Sequence, residues 1–103
     1  MRSLAFIAVF LLAPAAGAEV TAIDAERLTH LVTQDCGSCH GMTLKGGLGP
    51  DIRPARFAGV PPETIAQIIL DGVPGTPMPP WRPLLSDDDA RWIALYLSGG
   101  THR

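Results

Sequence analysis

The chain has little of what charged docking surfaces and polar catalytic sites are built from. Charged residues make up 17 % of its 103 residues and aromatics 6 %, with a single tyrosine. Lys45 is the one lysine, so the sequence shows no basic run for nucleic acid and no lysine ring for steering toward an acidic protein. Cysteine occurs twice. That excludes a disulfide framework, and a zinc site would need a second ligand pair nearby, which is missing. No stretch alternates apolar and polar residues in the manner of a half-buried strand, and there is no internal repeat. The apolar run Leu4 to Leu12 has nine residues where about 20 are needed to span a bilayer.

That run has another reading. Arg2 supplies a basic start, Leu4–Leu12 an apolar centre and Ala16-Gly17-Ala18 a small-residue cleavage site, the pattern of a secretory signal peptide over residues 1–18. Cleavage after Ala18 leaves a single domain, residues 19–103, with no stable membrane insertion expected. It carries seven basic and ten acidic side chains, a formal charge of −3. A domain of 85 residues buries little surface for its length and leans on a staple such as a metal or a cofactor.

The staple is written in Cys36-Gly37-Ser38-Cys39-His40, the C-x-x-C-H pattern of c-type haem attachment. Two thiols one helical turn apart point the same way and reach the two vinyl groups on one porphyrin edge. The histidine that follows is placed to bind the iron from below. One covalently attached haem c, joined at Cys36 and Cys39 with His40 as an axial ligand, is therefore expected. Such haems are attached outside the bacterial cytoplasm, which agrees with the export signal and predicts a periplasmic protein. A disulfide redox pair needs a βαβ context that the sequence lacks.

Three helical segments are predicted, giving an all-α fold. The first begins near Asp24 as N-cap and carries Leu28, Leu31 and Val32 on one face. The second starts after Pro61-Pro62, buries Ile65, Ile68 and Ile69, and stops at Gly72. The third is capped by Ser86 with Asp89 three residues on, lines one face with Ala90, Ile93 and Leu97, and ends at Gly99-Gly100. Residues 41–59, with five glycines, read as loop. Val73 to Pro83 holds five of the ten prolines and reads as a stiff irregular segment.

The other side of the iron has few candidates. Met42 and His30 lie too close to the motif to reach round a haem plate, and His102 falls in a terminal tail. Met78 is 38 residues beyond His40, inside the proline-stiffened segment, and is the predicted second ligand. Histidine–methionine ligation raises the potential and leaves no open position, which favours electron transfer over catalysis. An open site for nitric oxide or peroxide would require Met78 to be off the iron. A ligating imidazole donates its other N–H to a fixed acceptor, and the Pro50 carbonyl is the candidate. Trp81 is a candidate for covering the haem edge or bonding a propionate. Arg53, Arg56 and Arg82 are candidate propionate partners by charge alone. Docking is expected to use an apolar patch of Leu44, Leu48, Pro79 and Pro80.

With the haem motif, Gly49-Pro50, the Met78 loop and Tyr96-Leu97 in that order, the chain resembles class I c-type cytochromes over residues 24–98. The segment from Cys36 to Pro50, with Asp71-Gly72, Gly75 to Trp81 and Leu84-Leu85-Ser86, is similar to the small periplasmic monohaem cytochromes of gene clusters for cytochrome cd-type nitrite reductase. The resemblance implies a small cytochrome c fold of three or more helices around one haem, in a monomeric electron carrier that is not an enzyme. It implies nitrite reductase as electron acceptor in denitrification or, alternatively, an accessory role in maturing that enzyme's special haem. Tyr96 matches the aromatic of the family's usual crossing between first and last helices, while Leu28 and Val32 depart from it.

Overall fold

The computed structural model describes Ala5 and residues 20–99. The signal-peptide reading, apart from Ala5, and the positions of Gly100 and His102 lie outside the described residues. Among the described residues four α-helices follow one another: α1 (Ala22–Leu31), α2 (Gly37–His40), α3 (Pro62–Asp71) and α4 (Asp87–Leu97). A π-helical turn, Val32–Cys36, joins α1 to α2, and a 3₁₀ turn, Pro54–Phe57, interrupts the long loop before α3. Among the described residues there is no strand, in agreement with the all-α expectation. None of the described helices is long and apolar enough to cross a membrane.

Helix α1 starts earlier than the sequence suggested. Thr21, in extended conformation, is the N-cap, and its Oγ1 accepts from the Asp24 amide at 3.2 Å. Asp24 is instead the third helical residue, where its charge favours the positive end of the helix. Both residue types cap well, and the position of the first helical φ/ψ pair decides between them. Near its far end Thr29 donates back to the Ala25 carbonyl at 2.8 Å and Thr33 to that of Thr29 at 3.0 Å. Such back-bonds compete with the helical ladder. Here they accompany the widening to a π turn, in which the Gly37 amide bonds the Val32 carbonyl five residues back.

Helix α3 packs against α4, and α1 also contacts α4. The core is one cluster drawn from Leu28 and Val32, from Ile65, Ala66, Ile69 and Leu70, and from Leu85 and the α4 face. Leu28, Leu70, Ile93 and Val32 are the largest fully buried side chains, each contributing about 1.5–3 kcal/mol of transfer free energy. The predicted α3 stripe is rotated. Ile65 and Ile69 are buried, but Ile68 is 46 % exposed and its place is taken by Ala66 and Leu70. At 100° per residue, Ile68 lies about 130° from the centre of that buried face. In α4 the prediction holds: Ala90 and Ile93 are fully buried and Leu97 nearly so. Trp92, also buried, stacks on Tyr96 with ring centroids 5.2 Å apart.

The ends of α3 and α4 set where the loop between them must run. Pro62 occupies the first position of α3, where its missing N–H costs nothing. Gly72 closes α3 with φ +69°. Ser86 and Asp89 form a reciprocal capping box at the start of α4, with bonds of 3.0 and 3.1 Å. Arg27 of α1 reaches Asp89 at 3.5 Å and Arg91 of α4 reaches Glu63 of α3 at 2.8 Å, so an ion pair crosses each helix contact.

Candidate haem site

The π turn delivers Cys36 as its last residue, and α2 carries Cys39 and His40. Both thiols are free and half-buried, one helical turn apart. Burial, with the Asp35 carboxylate adding to it, pushes the Cys36 thiol up to about 11. Ser38 between them donates to the Asp35 carbonyl at 2.8 Å and keeps this turn wound.

His40 is held by its own loop. Its Nδ1 lies 2.7 Å from the Pro50 carbonyl oxygen. A carbonyl only accepts, so Nδ1 carries a proton, and in the neutral ring this leaves the lone pair on Nε2, the form in which an imidazole binds a metal. The loop that brings Pro50 back is closed by backbone bonds. The Gly46 amide donates to His40 at 2.7 Å, that of Gly49 to Cys39 at 2.7 Å, and that of Ile52 to Leu44 at 3.0 Å. Gly49 lies directly against the ring: a Cβ there would stand 2.8 Å from Cε1 and 2.9 Å from Nδ1 of His40. Sequence reasoning pointed to Pro50 but missed this use of Gly49. The Gly-Pro pair signals a turn, and nothing in it says what the turn packs on.

Met78, half-buried, belongs to a second, separately built element. Thr76 Oγ1 donates to the Val73 carbonyl at 2.7 Å and accepts from the Met78 amide at 3.3 Å. The Val73 amide bonds the Met78 carbonyl at 3.2 Å. The segment then returns along the end of α3. Trp81 donates its amide to Ile69 and Arg82 to Leu70, both at 3.1 Å, so two carbonyls of the last helical turn find partners. Gly72 permits this return: a Cβ on it would lie 2.7 Å from the Met78 carbonyl oxygen and from backbone atoms of Pro79 and Pro80. Trp81 is partly buried against the core cluster.

Two of the arginines proposed as propionate partners are already engaged. Arg53 pairs with Asp51 at 2.7 Å, and this hydrogen-bonded guanidinium holds the Asp51 carboxyl down to about 2. Arg82 bonds Asp71 through Nη2 at 2.7 Å and Nε at 3.1 Å, and reaches Asp87 at 3.5 Å. Of the expected apolar patch, Leu48 is 81 % exposed and Pro79 and Pro80 are exposed. Leu44 is not part of it: it takes a left-handed backbone, φ 62°, and packs partly buried on the core. Among the described residues no three His, Cys, Asp or Glu side chains cluster as they would around a metal ion bound by side chains alone.

Comparison with known proteins decides the family. A family model described as cytochrome C oxidase, cbb3-type, subunit III matches residues 23–97. The chain belongs to the c-type cytochromes. This cytochrome is 53 % identical to cytochrome c55X of Paracoccus denitrificans over 97 residues, covering 94 % of each chain. Its fold is similar to that of a solved c-type cytochrome NirC, with a TM-score of 0.75 and 49 % identity over 80 % of this chain and 96 % of that one. It also superposes on part of dihydro-heme d1 dehydrogenase NirN in complex with DHE, with a TM-score of 0.63 and 32 % identity. That match takes in 73 % of this chain but 16 % of the dehydrogenase. As a small c-type cytochrome the protein carries one covalently attached haem c and transfers electrons. The residues fit the group: two free thiols one turn apart, followed by an imidazole whose Nδ1 is engaged and whose Nε2 is left for iron.

Proposed function

We propose that the protein is a periplasmic one-electron carrier whose acceptor is a dissimilatory nitrite reductase of the cytochrome cd type. In this reading residues 1–18 are removed on export and residues 19–103 form the working monomer, a carrier and not an enzyme. Cys36 and Cys39 would hold the haem through thioethers, and His40 and Met78 would ligate its iron. When bound, the haem supplies reversible one-electron chemistry. The rest is done by the chain. Pro50 keeps the proton on Nδ1 of His40, Gly49 fixes the ring plane, and Thr76 and Gly72 shape the loop that presents Met78. Trp81, three residues after Met78, packs partly buried on the core.

The observation that carries electron transfer is the His40 to Pro50 bond. A ligand held in one orientation and one protonation state changes little when iron changes charge, so reorganisation is small. The nitrite reductase assignment is supported by the resemblance of residues 36–50 and of the Met78 loop, and by the similarity to NirC.

A second reading is an accessory redox step in maturing the reductase's special haem. The likeness to part of a dihydro-heme d1 dehydrogenase favours it.

The deciding experiment is stopped-flow oxidation of the reduced, haem-loaded protein by purified nitrite reductase from the same organism. Oxidation faster than enzyme turnover supports the donor role. Negligible oxidation moves the assignment to maturation or to another periplasmic acceptor. Met78→Ala tests the ligand set: it should lower the potential and open the iron to small ligands. An unchanged visible spectrum and potential would overturn the Met78 assignment.

A further inference from the structure

Arg82 stands where the Met78 loop rejoins the helices. Its guanidinium contacts Asp71, the last residue of α3, with two donors on one carboxylate oxygen, and Asp87, the first residue of α4. Its amide is bonded to Leu70 as well, so main chain and side chain clip the same point. On the other side of the loop, Gly72 fits beneath the backbone of Met78 to Pro80. The loop is thus anchored next to Met78 and has only prolines and one tryptophan between that residue and the clip. Proline fixes φ, so a displacement at Arg82 is passed along the segment instead of being absorbed in it.

We infer that Arg82 is a positioning residue for Met78, its ion pairs with Asp71 and Asp87 holding the loop closed. This rests on the reading of Met78 as the second iron ligand. The pairs are exposed, half or more of each side chain being open to solvent, so their strength is modest and screened by salt. The closed loop competes with binding of an external ligand, so the apparent affinity for that ligand rises with the open fraction.

The test uses the ferric, haem-loaded protein and imidazole as probe, at a pH where imidazole is neutral. Arg82→Gln should bind imidazole about two- to fivefold more tightly than the wild type, the factor one exposed ion pair is worth. Asp71→Asn should act in the same direction, and the double variant should add less than the product of the two. Arg82→Lys, keeping the charge and losing the two-donor fork, should fall between. Added sodium chloride should raise the wild-type affinity and leave Arg82→Gln flat, a response that a merely structural residue would not produce. Met78→Ala separates this inference from the reading beneath it. If Met78→Ala binds imidazole far more tightly while Arg82→Gln matches the wild type at all salt concentrations, Arg82 does not position the loop. If Met78→Ala also matches the wild type, the ligand assignment fails and the role of Arg82 falls with it.

Discussion

The Pro50 carbonyl oxygen lies 2.7 Å from Nδ1 of His40, and the residue before that proline touches the same ring. One turn therefore fixes both the protonation and the plane of the imidazole. Gly49→Ala should displace it, since the new Cβ would stand 2.8 Å from Cε1. Overpacking of this kind costs about 1–3 kcal/mol. At about 4–8 °C per kcal/mol for a domain of this size, thermal unfolding of the haem-loaded variant should fall by about 5–20 °C. A variant melting with the wild type would show that the turn is free to move away.

Gly72→Ala acts on the loop that carries Met78, the proposed second ligand. Its φ of +69° with ψ −172° is a region open essentially to glycine alone, costing an L-residue about 1–3 kcal/mol, and the Cβ meets the Met78 loop backbone at 2.7 Å. The expected outcome is loss of intensity in the near-infrared band of methionine-ligated ferric haem, beyond the loss of stability. An intact band would mean that the loop shifts without disturbing Met78.

Ser86→Ala removes one half of the capping box at the start of α4. Denaturant titration should show a loss of about 0.5–2 kcal/mol, with the midpoint moved and the slope unchanged. The visible spectrum should not change, because the box touches neither the His40 turn nor the Met78 loop.

Asp51 gives a pH signature. Its carboxyl falls from 3.8 to about 2 on folding, because Arg53 hydrogen-bonds its charged form. A depressed carboxyl stabilises the fold above its unfolded value, so this contribution is complete above pH 3.8 and is lost as pH drops toward 2. Asp51→Asn should be less stable than the wild type at neutral pH, and the two stability curves should converge across that window. Parallel curves would show that the pair contributes nothing to folding.

Much of this could be seen in the order of residues. Ser86 with Asp89, Pro61-Pro62 and Gly72 marked helix ends because each supplies or removes one backbone bond at a defined place. The Pro50 acceptor could be anticipated because a ligating imidazole needs one. Other features depend on the third dimension. Ile68 looked buried from its spacing to Ile65, but the position of α4 selects the face that includes Ala66 and Leu70. Thr21 and Asp24 are both competent caps, and the first helical residue settles the matter. The π turn has no compositional mark beyond two threonines. Arg82 was visible as a charge, whereas its partners lie 11 and five residues away on two different helices.

Beyond the helical bonds of α2, the bonds that close the loop around His40 begin and end within residues 39–52. The imidazole's seat is thus a contiguous cassette, tied to the rest of the fold through Leu44 and Ile52, which pack on the core cluster. Grafting this cassette onto the end of another helix should carry the histidine's tautomer and orientation with it.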